Sequence, residues 1–286
     1  MHKIPVRYIN EALKEPGFSG GFSMRPLEDF MEGQDMLQAL HRHSFYYILV
    51  LEKASGEHAI DFTPYPVKDS TVFFMRPGQI HQLFLDNGSR GYLLHFTDDF
   101  YAPAERAARQ VLRSVSNRNY FPMERAPFSR LYQLLEIIHR EYTEKQERYK
   151  QAIKSALDIM FLELLRQGGQ PQSSDERPEY MQERLDELLE LVEKHLPEHK
   201  QVAFYAAKLH LSSYQLNTVT KTLLGKSCST LINDMIILEA RRHLLATSNQ
   251  VNQVASMLGY EDVSYFIRFF KKNTGFSPEA FRSNFK

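Results

Sequence analysis

A short pattern that occurs twice near the end of the chain constrains its fold more than any other feature. Lys221 is followed by Gly225 and then Ser227, and Lys271 is followed at the same spacings by Gly275 and Ser277. Upstream, Leu216 corresponds to Phe266 and Val219 to Phe269. Further up, Ala206 and Leu209 correspond to Ala255 and Leu258, with one residue inserted in the second copy. The same supersecondary unit is therefore expected twice, about 50 residues apart.

Each copy reads as helix, tight turn, helix. In the second, QVNQVASML puts Val251, Val254, Ala255 and Leu258 on one side of a short amphipathic helix. Ala255 is small, as closely crossing helices require, and Gly259 sits where the chain leaves that helix. A following helix, about 262–273, is expected to start on the Asp262 carboxylate, bury Phe266 and Phe269, and end at Gly275. Ser277-Pro278-Glu279 has the pattern of a cap with proline at the first helical position, opening a last short helix. Between the copies, STLINDMIILEARRHLLATS reads as one long helix whose buried side includes Leu231, Met235, Leu238 and Leu245.

A helix-turn-helix lays its second helix in the major groove, with residues near its start at the base edges. The first copy offers Ser213, Tyr214, Asn217, Thr218 and Lys221 for this contact, and the second Val263, Ser264, Ile267, Arg268 and Lys271. Arg268 suits either a bidentate contact to guanine or a phosphate. Lys271 and Lys272 suit phosphates, which set affinity and position more than sequence choice. Any one of these side chains could equally be a solvated residue of a unit used only for packing. The charge distribution favours DNA. From Lys200 to Lys286 eleven basic residues face five acidic ones, a net +6, while the rest carries 24 against 30, a net −6. Two reading helices on one rigid spacer could enter successive major grooves roughly 34 Å apart and select a non-palindromic site.

Residues from about 20 to 100 read differently. FYYILVLE (45–52), STVFFMRPG (70–78) and GYLLHFTDD (91–99) are aromatic and β-branched runs separated by Pro, Gly and Asn-Gly turn signals. Short strands without intervening helices imply a sandwich or barrel. After Pro127 helical spacing takes over, with Leu131, Leu134, Leu135, Ile138 and Tyr142, then Ile153, Leu157, Met160, Phe161, Leu164 and Leu165. EKQERYK (144–150) is their connection or part of a helix. The two helices either form a dimer seam or only cover their own β-domain. GGQPQSSDERPE (168–179) reads as a flexible linker.

The run from Leu231 to Arg282, LINDMIILEARRHLLATS followed by QVASMLGYEDVSYFIRFFKKNTGFSPEAFR, resembles the signature of the AraC/XylS family of bacterial transcription regulators. Spacing, glycines, aromatic pairs and the terminal Ser-Pro coincide over the last hundred residues. Thr218 stands where family members often carry Arg, and Thr220 where they often carry Phe. The first two-thirds is similar to the family's regulatory half only loosely. His41-Arg42-His43 and Pro77-Gly78-Gln79-Ile80-His81 resemble fragments of the two cupin motifs, but Tyr47 and Ile48 stand where a metal-binding cupin carries its glutamate. No metal and no cofactor is therefore expected, and the histidines read as hydrogen-bonded remnants of the fold. A small-molecule pocket is what the resemblance implies, with His41 and His43 on one strand face, His81 and His95 beside them, Tyr47 as an aromatic wall, and Arg25 or Arg42 suited to an anionic effector.

The reading is an α+β protein: a cupin-like β-barrel sensor (1–121), a helical dimerisation segment (122–167), a linker (168–179) and an all-α module of two helix-turn-helix units joined by a long helix (180–286). The function implied is a sequence-specific DNA-binding transcription regulator under a small-molecule effector, with activation the sign by family habit. Double-stranded DNA, RNA polymerase and a second copy of the chain are the expected partners. The rivals are a cupin-type dioxygenase or isomerase with a helical appendage, against which the missing glutamate argues, and an adaptor that kept the fold but lost DNA. The first eighteen residues, MHKIPVRYINEALKEPGF, hold no signal-peptide stretch, and no apolar run approaches the roughly 18 residues of a membrane span. With Cys228 as the single cysteine no internal disulfide can form, and a cytoplasmic protein with no membrane partner is expected.

Overall fold

The computed structural model describes residues 6–7, 21–167 and 176–284. The chain divides near residue 170 into two compact units. The first holds β1 (Val6–Arg7), β2 (Phe22–Pro26), α1 (Glu28–Met31), β3 (Met36–His43), β4 (Tyr46–Lys53), β5 (Gly56–Ile60) and β6 (Thr63–Val67). It continues through β7 (Thr71–Met75), β8 (Ile80–Leu85), β9 (Arg90–Phe96), α2 (Arg106–Ser116), β10 (Tyr120–Pro122), α3 (Arg125–Glu144) and α4 (Tyr149–Arg166). Among the described residues the strands make two five-stranded sheets, ordered β1-β3-β8-β5-β6 and β10-β7-β4-β9-β2.

The three apolar runs of the sequence are the three central strands of the second sheet. Side chains alternate along a strand, so each run serves two cores. Tyr47, Leu49 and Leu51 of β4 face the barrel interior, with Phe73 and Met75 of β7, Leu93 of β9, and Ile60, Leu83 and Leu85 of the other sheet. Ile48, Val50, Val72, Phe74, Leu94 and Phe96 face the opposite way, onto α2, α3 and α4. The helical pair covers that sheet face with Leu131, Leu135 and Ile138 from α3 and Ile153, Leu157, Met160, Phe161 and Leu164 from α4, all buried. Residues 145–148 connect the two helices, with Lys145 and Arg148 in the left-handed region. Helix α2 was not anticipated. Its buried side is only Leu112, Val115 and Ser116, too narrow a stripe to stand out in a basic segment.

The second unit is helical: α5 (Glu176–His195), α6 (Val202–Lys208), α7 (Ser213–Leu224), α8 (Cys228–Ala246), α9 (Val251–Met257), α10 (Val263–Thr274) and α11 (Pro278–Asn284). Of the linker expected over 168–179, residues 168–175 lie outside the described residues. Residues 176–179 open α5 instead, because the acidic run after them continues as one amphipathic helix carrying Leu185, Leu188 and Val192 into the core. The long helix α8 spans about 28 Å at 1.5 Å per residue. Its buried side runs through Leu231, Ile232, Ile236, Ala240, Leu244 and Leu245, whereas Met235 and Leu238 are only half-buried. No helix of the described residues is long and apolar enough to cross a membrane.

Candidate functional site

The two copies of the repeat close their turns with the same bond. In the first, Leu211 N–H donates to the Ala206 carbonyl at 2.9 Å, and in the second Tyr260 N–H donates to the Ala255 carbonyl at 2.9 Å. Each bond wraps the end of the first helix around one left-handed residue, His210 in one copy and Gly259 in the other. Gly259 has a second reason to be glycine. A Cβ at this position would overlap the Pro197 carbonyl oxygen, and Lys200 Nζ bridges that oxygen and the Gly259 carbonyl at 2.9 and 3.1 Å.

The second helix of each unit is capped as its residues predict. Ser212 and Gln215 form a reciprocal capping box on α7, and Asp262 accepts from Ser264 N and Tyr265 N on α10. Gly225 and Gly275 end these helices in the left-handed region, and Ser277 Oγ accepts the Ala280 N–H to start α11. On α10 the fully buried aromatics are Phe266 and Phe270. Phe269 is half-buried, so the buried pair is i, i+4 rather than i, i+3.

The expected contact residues lie mainly on exposed faces. Ser213, Tyr214 and Lys221 are exposed on α7, as are Ser264, Arg268, Lys271 and Lys272 on α10. Tyr214 is 81% exposed, an unusual place for a ring in a helix otherwise well packed. Thr218, Val263 and Ile267 are half-buried, and the Thr218 hydroxyl donates to the Tyr214 carbonyl at 3.0 Å. Asn217 also makes bonds within the unit, beside the contact expected of it. Its Oδ1 accepts the Cys228 N–H at 2.9 Å and its Nδ2 donates to the Ser213 carbonyl at 2.9 Å, so the amide joins α7 to the start of α8. Tyr265, beside Ser264 and 54% exposed, was missed; an aromatic residue in a helix made of aromatics carries no signal of exposure until the helix face is known.

The positive charge of this unit also sorts itself. Lys200 is tied to the turn at Gly259, Lys226 pairs with Asp234 at 2.6 Å, Arg242 pairs with Glu239, and Arg241 lies over the Phe281 ring. Arg282 donates to the carbonyls of Leu244 and Asn249. Lys221, Arg268, Lys271 and Lys272 are exposed on the second helices of the two units, while Lys194 on α5 and Lys208 on α6, the latter over the Phe204 ring, are exposed elsewhere.

In the first unit the residues expected to line a pocket do come together. His41 and His43 on β3, His81 on β8, Tyr47 on β4 and His95 on β9 are all buried in the barrel. The His43 ring stacks on Tyr47 at 4.9 Å, and Tyr47 lies 5.0 Å from His81 and 5.3 Å from His95. Arg25 is half-buried on β2 opposite Leu93, in the inward register that Leu93 and His95 share. Arg42 alternates to the other face of β3 from His41 and His43. His58 on β5 was not foreseen. It is buried, its Nε2 lies 2.8 Å from His81 Nδ1, and burial together with neighbouring His41 pushes its pKa down to about 3. The alternation of His58 with Ile60 along a five-residue strand was the one available signal.

These two arrangements have counterparts. Residues 32–165 match the model of an AraC-like ligand binding domain, and residues 205–284 match that of a helix-turn-helix domain. The chain belongs to the AraC family of transcription regulators. As a member of that family it is a ligand-controlled, DNA-binding regulator, with the paired units of its second half on DNA and the barrel as the ligand-binding part. This AraC-family chain is 26% identical over 263 residues to the transcriptional activator RhaS of Yersinia pseudotuberculosis, covering 85% of this chain and 88% of that protein. It is 23% identical over 254 residues to YfiF of Bacillus subtilis, an uncharacterized HTH-type transcriptional regulator, covering 86% and 79%. Among solved structures, ToxT from Vibrio cholerae O395 aligns over 92% of this chain and 97% of that one at 14% identity and a TM-score of 0.45.

Proposed function

We propose that the chain is a transcription activator that works as a homodimer, reads DNA with α7 and α10 of each copy, and answers to a small molecule held in the barrel. The observation that carries this reading is the repeated turn. Two units closed by the same backbone bond meet the two ends of α8, and each turns an exposed helix face outward, with Lys221 on one and Arg268, Lys271 and Lys272 on the other. A spacer of about 28 Å is of the order needed for helices to enter successive major grooves on one side of a duplex.

In this reading Ser213, Tyr214, Thr218 and Lys221 meet DNA in one groove, and Val263, Ser264, Ile267, Arg268, Lys271 and Lys272 in the next. Arg268 is the base reader and the lysines hold phosphates. Asn217 acts by positioning α7. The seam lies on α3 and α4, where Ile137, Ile159 and Leu162 are exposed although their neighbours are buried. The effector enters among His41, His43, Tyr47, His81 and His95, with Arg25 to meet an anionic group. Effector binding changes how copies or units are arranged, and with it DNA affinity and the contact with RNA polymerase. The sensor is residues 1–121, the seam 122–167 and the DNA-binding module 180–286. The chain works where the chromosome is, in the cytoplasm, and catalyses no reaction.

The test is binding of the purified protein to its own upstream DNA against a scrambled duplex, across a salt series. Tight selective binding that weakens with salt supports the reading. No binding to that DNA or to a pool of genomic fragments sinks it.

A further inference from the structure

Inside the barrel three imidazole nitrogens meet. His41 Nε2 lies 3.1 Å from His43 Nε2, which lies 2.9 Å from His81 Nε2, which lies 3.0 Å from His41 Nε2. Hydrogen bonds among three neutral rings do not account for this triangle. The His41 Nδ1 sits 2.7 Å from the Ala39 carbonyl, which can only accept, so a neutral His41 carries its proton there and a lone pair on Nε2. The other two neutral rings supply at most one Nε2 proton each. Three edges then share two protons, and at least one edge sets lone pair against lone pair. A cation at the meeting point turns that repulsion into attraction.

From this geometry we propose that His41, His43 and His81 bind one divalent first-row transition-metal ion through their Nε2 atoms. The strand register assembles the set: His41 faces His81 across the β3–β8 pair, and His43 follows two residues on, on the same face. The outer nitrogens of His41 and His81 are arranged as ligating imidazoles need. His41 Nδ1 donates to Ala39 O, and His81 Nδ1 can donate to His58 Nε2 at 2.8 Å, which fixes each ring and leaves its Nε2 lone pair inward. With metal–nitrogen bonds of about 2.1 Å, nitrogens this close subtend roughly 90° at the ion, the angle of an octahedral face rather than a tetrahedron. Imidazole suits zinc, nickel, cobalt or iron. The missing glutamate argued against a metal in the sequence, and among the described residues no carboxylate joins the three. Three neutral ligands leave the ion's charge undiminished, so water or an anionic small molecule completes its shell.

Metal uptake is measured without DNA, so this site and the regulator reading can fail separately. Full-length protein stripped with a chelator and then dialysed against Ni²⁺ or Co²⁺ is expected to retain one ion per chain, with X-ray absorption counting three imidazoles on nickel. His81→Gln is expected to lose the ion. His58→Leu is expected to weaken it roughly 10- to 100-fold with the count unchanged. His199→Ala removes half of the His195–His199 pair, whose rings lie 6.2 Å apart, and is expected to bind as the parent does. No stoichiometric ion in the unaltered protein overturns the site, as do two or fewer imidazoles on nickel. Loss through His199→Ala and not through His81→Gln would assign the ion to the other pair. Should His81→Gln fail to fold, the imidazole count on the unaltered protein decides.

Discussion

Asn217 and Cys228 are joined across the turn between α7 and α8, the Asn217 Oδ1 accepting the Cys228 backbone N–H at 2.9 Å. That N–H is one of the donors a helix start leaves without an intrahelical partner. Asn217→Ala is therefore expected to cost about 1–2 kcal/mol of stability in urea denaturation followed by circular dichroism. Base preference should be unchanged once folded fraction is allowed for. Unchanged stability with relaxed base preference would return Asn217 to the group of base readers.

Arg268 and Lys271 are expected to separate cleanly on DNA. Arg268 is exposed, and its pairing with exposed Asp262 at 3.8 Å is a weak one. Arg268→Ala should cost about 1–3 kcal/mol of affinity for the preferred site, relax selectivity at one base pair, and leave stability within about 0.5 kcal/mol. Lys271→Ala should weaken binding to all sequences alike and lower the slope of log K against log salt by about one. Anisotropy titrations over a salt series check both.

The glycines of the second unit should respond very differently to alanine. Gly275 has open space around its missing Cβ, so Gly275→Ala carries only the left-handed backbone penalty of about 1–2 kcal/mol. At Gly259 the same penalty adds to overlap with the Pro197 carbonyl, and a loss of about 3 kcal/mol or more is expected. Equal losses in denaturant melts would refute the close approach.

Burial pushes the Cys228 thiol up to about 11. Because the thiolate is the reactive form, a disulfide reagent at neutral pH should label the native protein about 100-fold more slowly than the unfolded chain. Rapid labelling of the native protein would show that the start of α8 opens readily.

Ile159→Glu combined with Leu162→Glu places two charges on the exposed side of α4, where both residues are uncovered in the single chain. Sedimentation equilibrium should find the parent dimeric and the variant monomeric. A monomeric parent removes the homodimer from the proposed function, and a dimeric variant moves the seam elsewhere.

How legible each part was depended on how many of its faces are buried. The central strands β4, β7 and β9 are covered on both sides, so they stand in the sequence as unbroken apolar runs. The other sheet is covered on one side, and β3 alternates exposed Leu37 and Ala39 with its neighbours, which is why its histidines drew notice as a motif while the strand itself did not. Capping residues read correctly at Asp262 and Ser277, since a cap acts within three residues of itself.

The sequence by itself determined the doubled helix-turn-helix, its glycine-ended helices, the β-rich first half and the family, because local spacing and period carry all of these. Only the tertiary structure decided that Asn217 braces α8, that Lys200 and Arg282 are spent on carbonyls inside the unit, and that Gly259 must clear Pro197. It also brought His81, 40 residues away, to His41 with their nitrogens 3.0 Å apart. Contacts between residues distant in sequence depend on sheet register and helix crossing, and no local pattern encodes them.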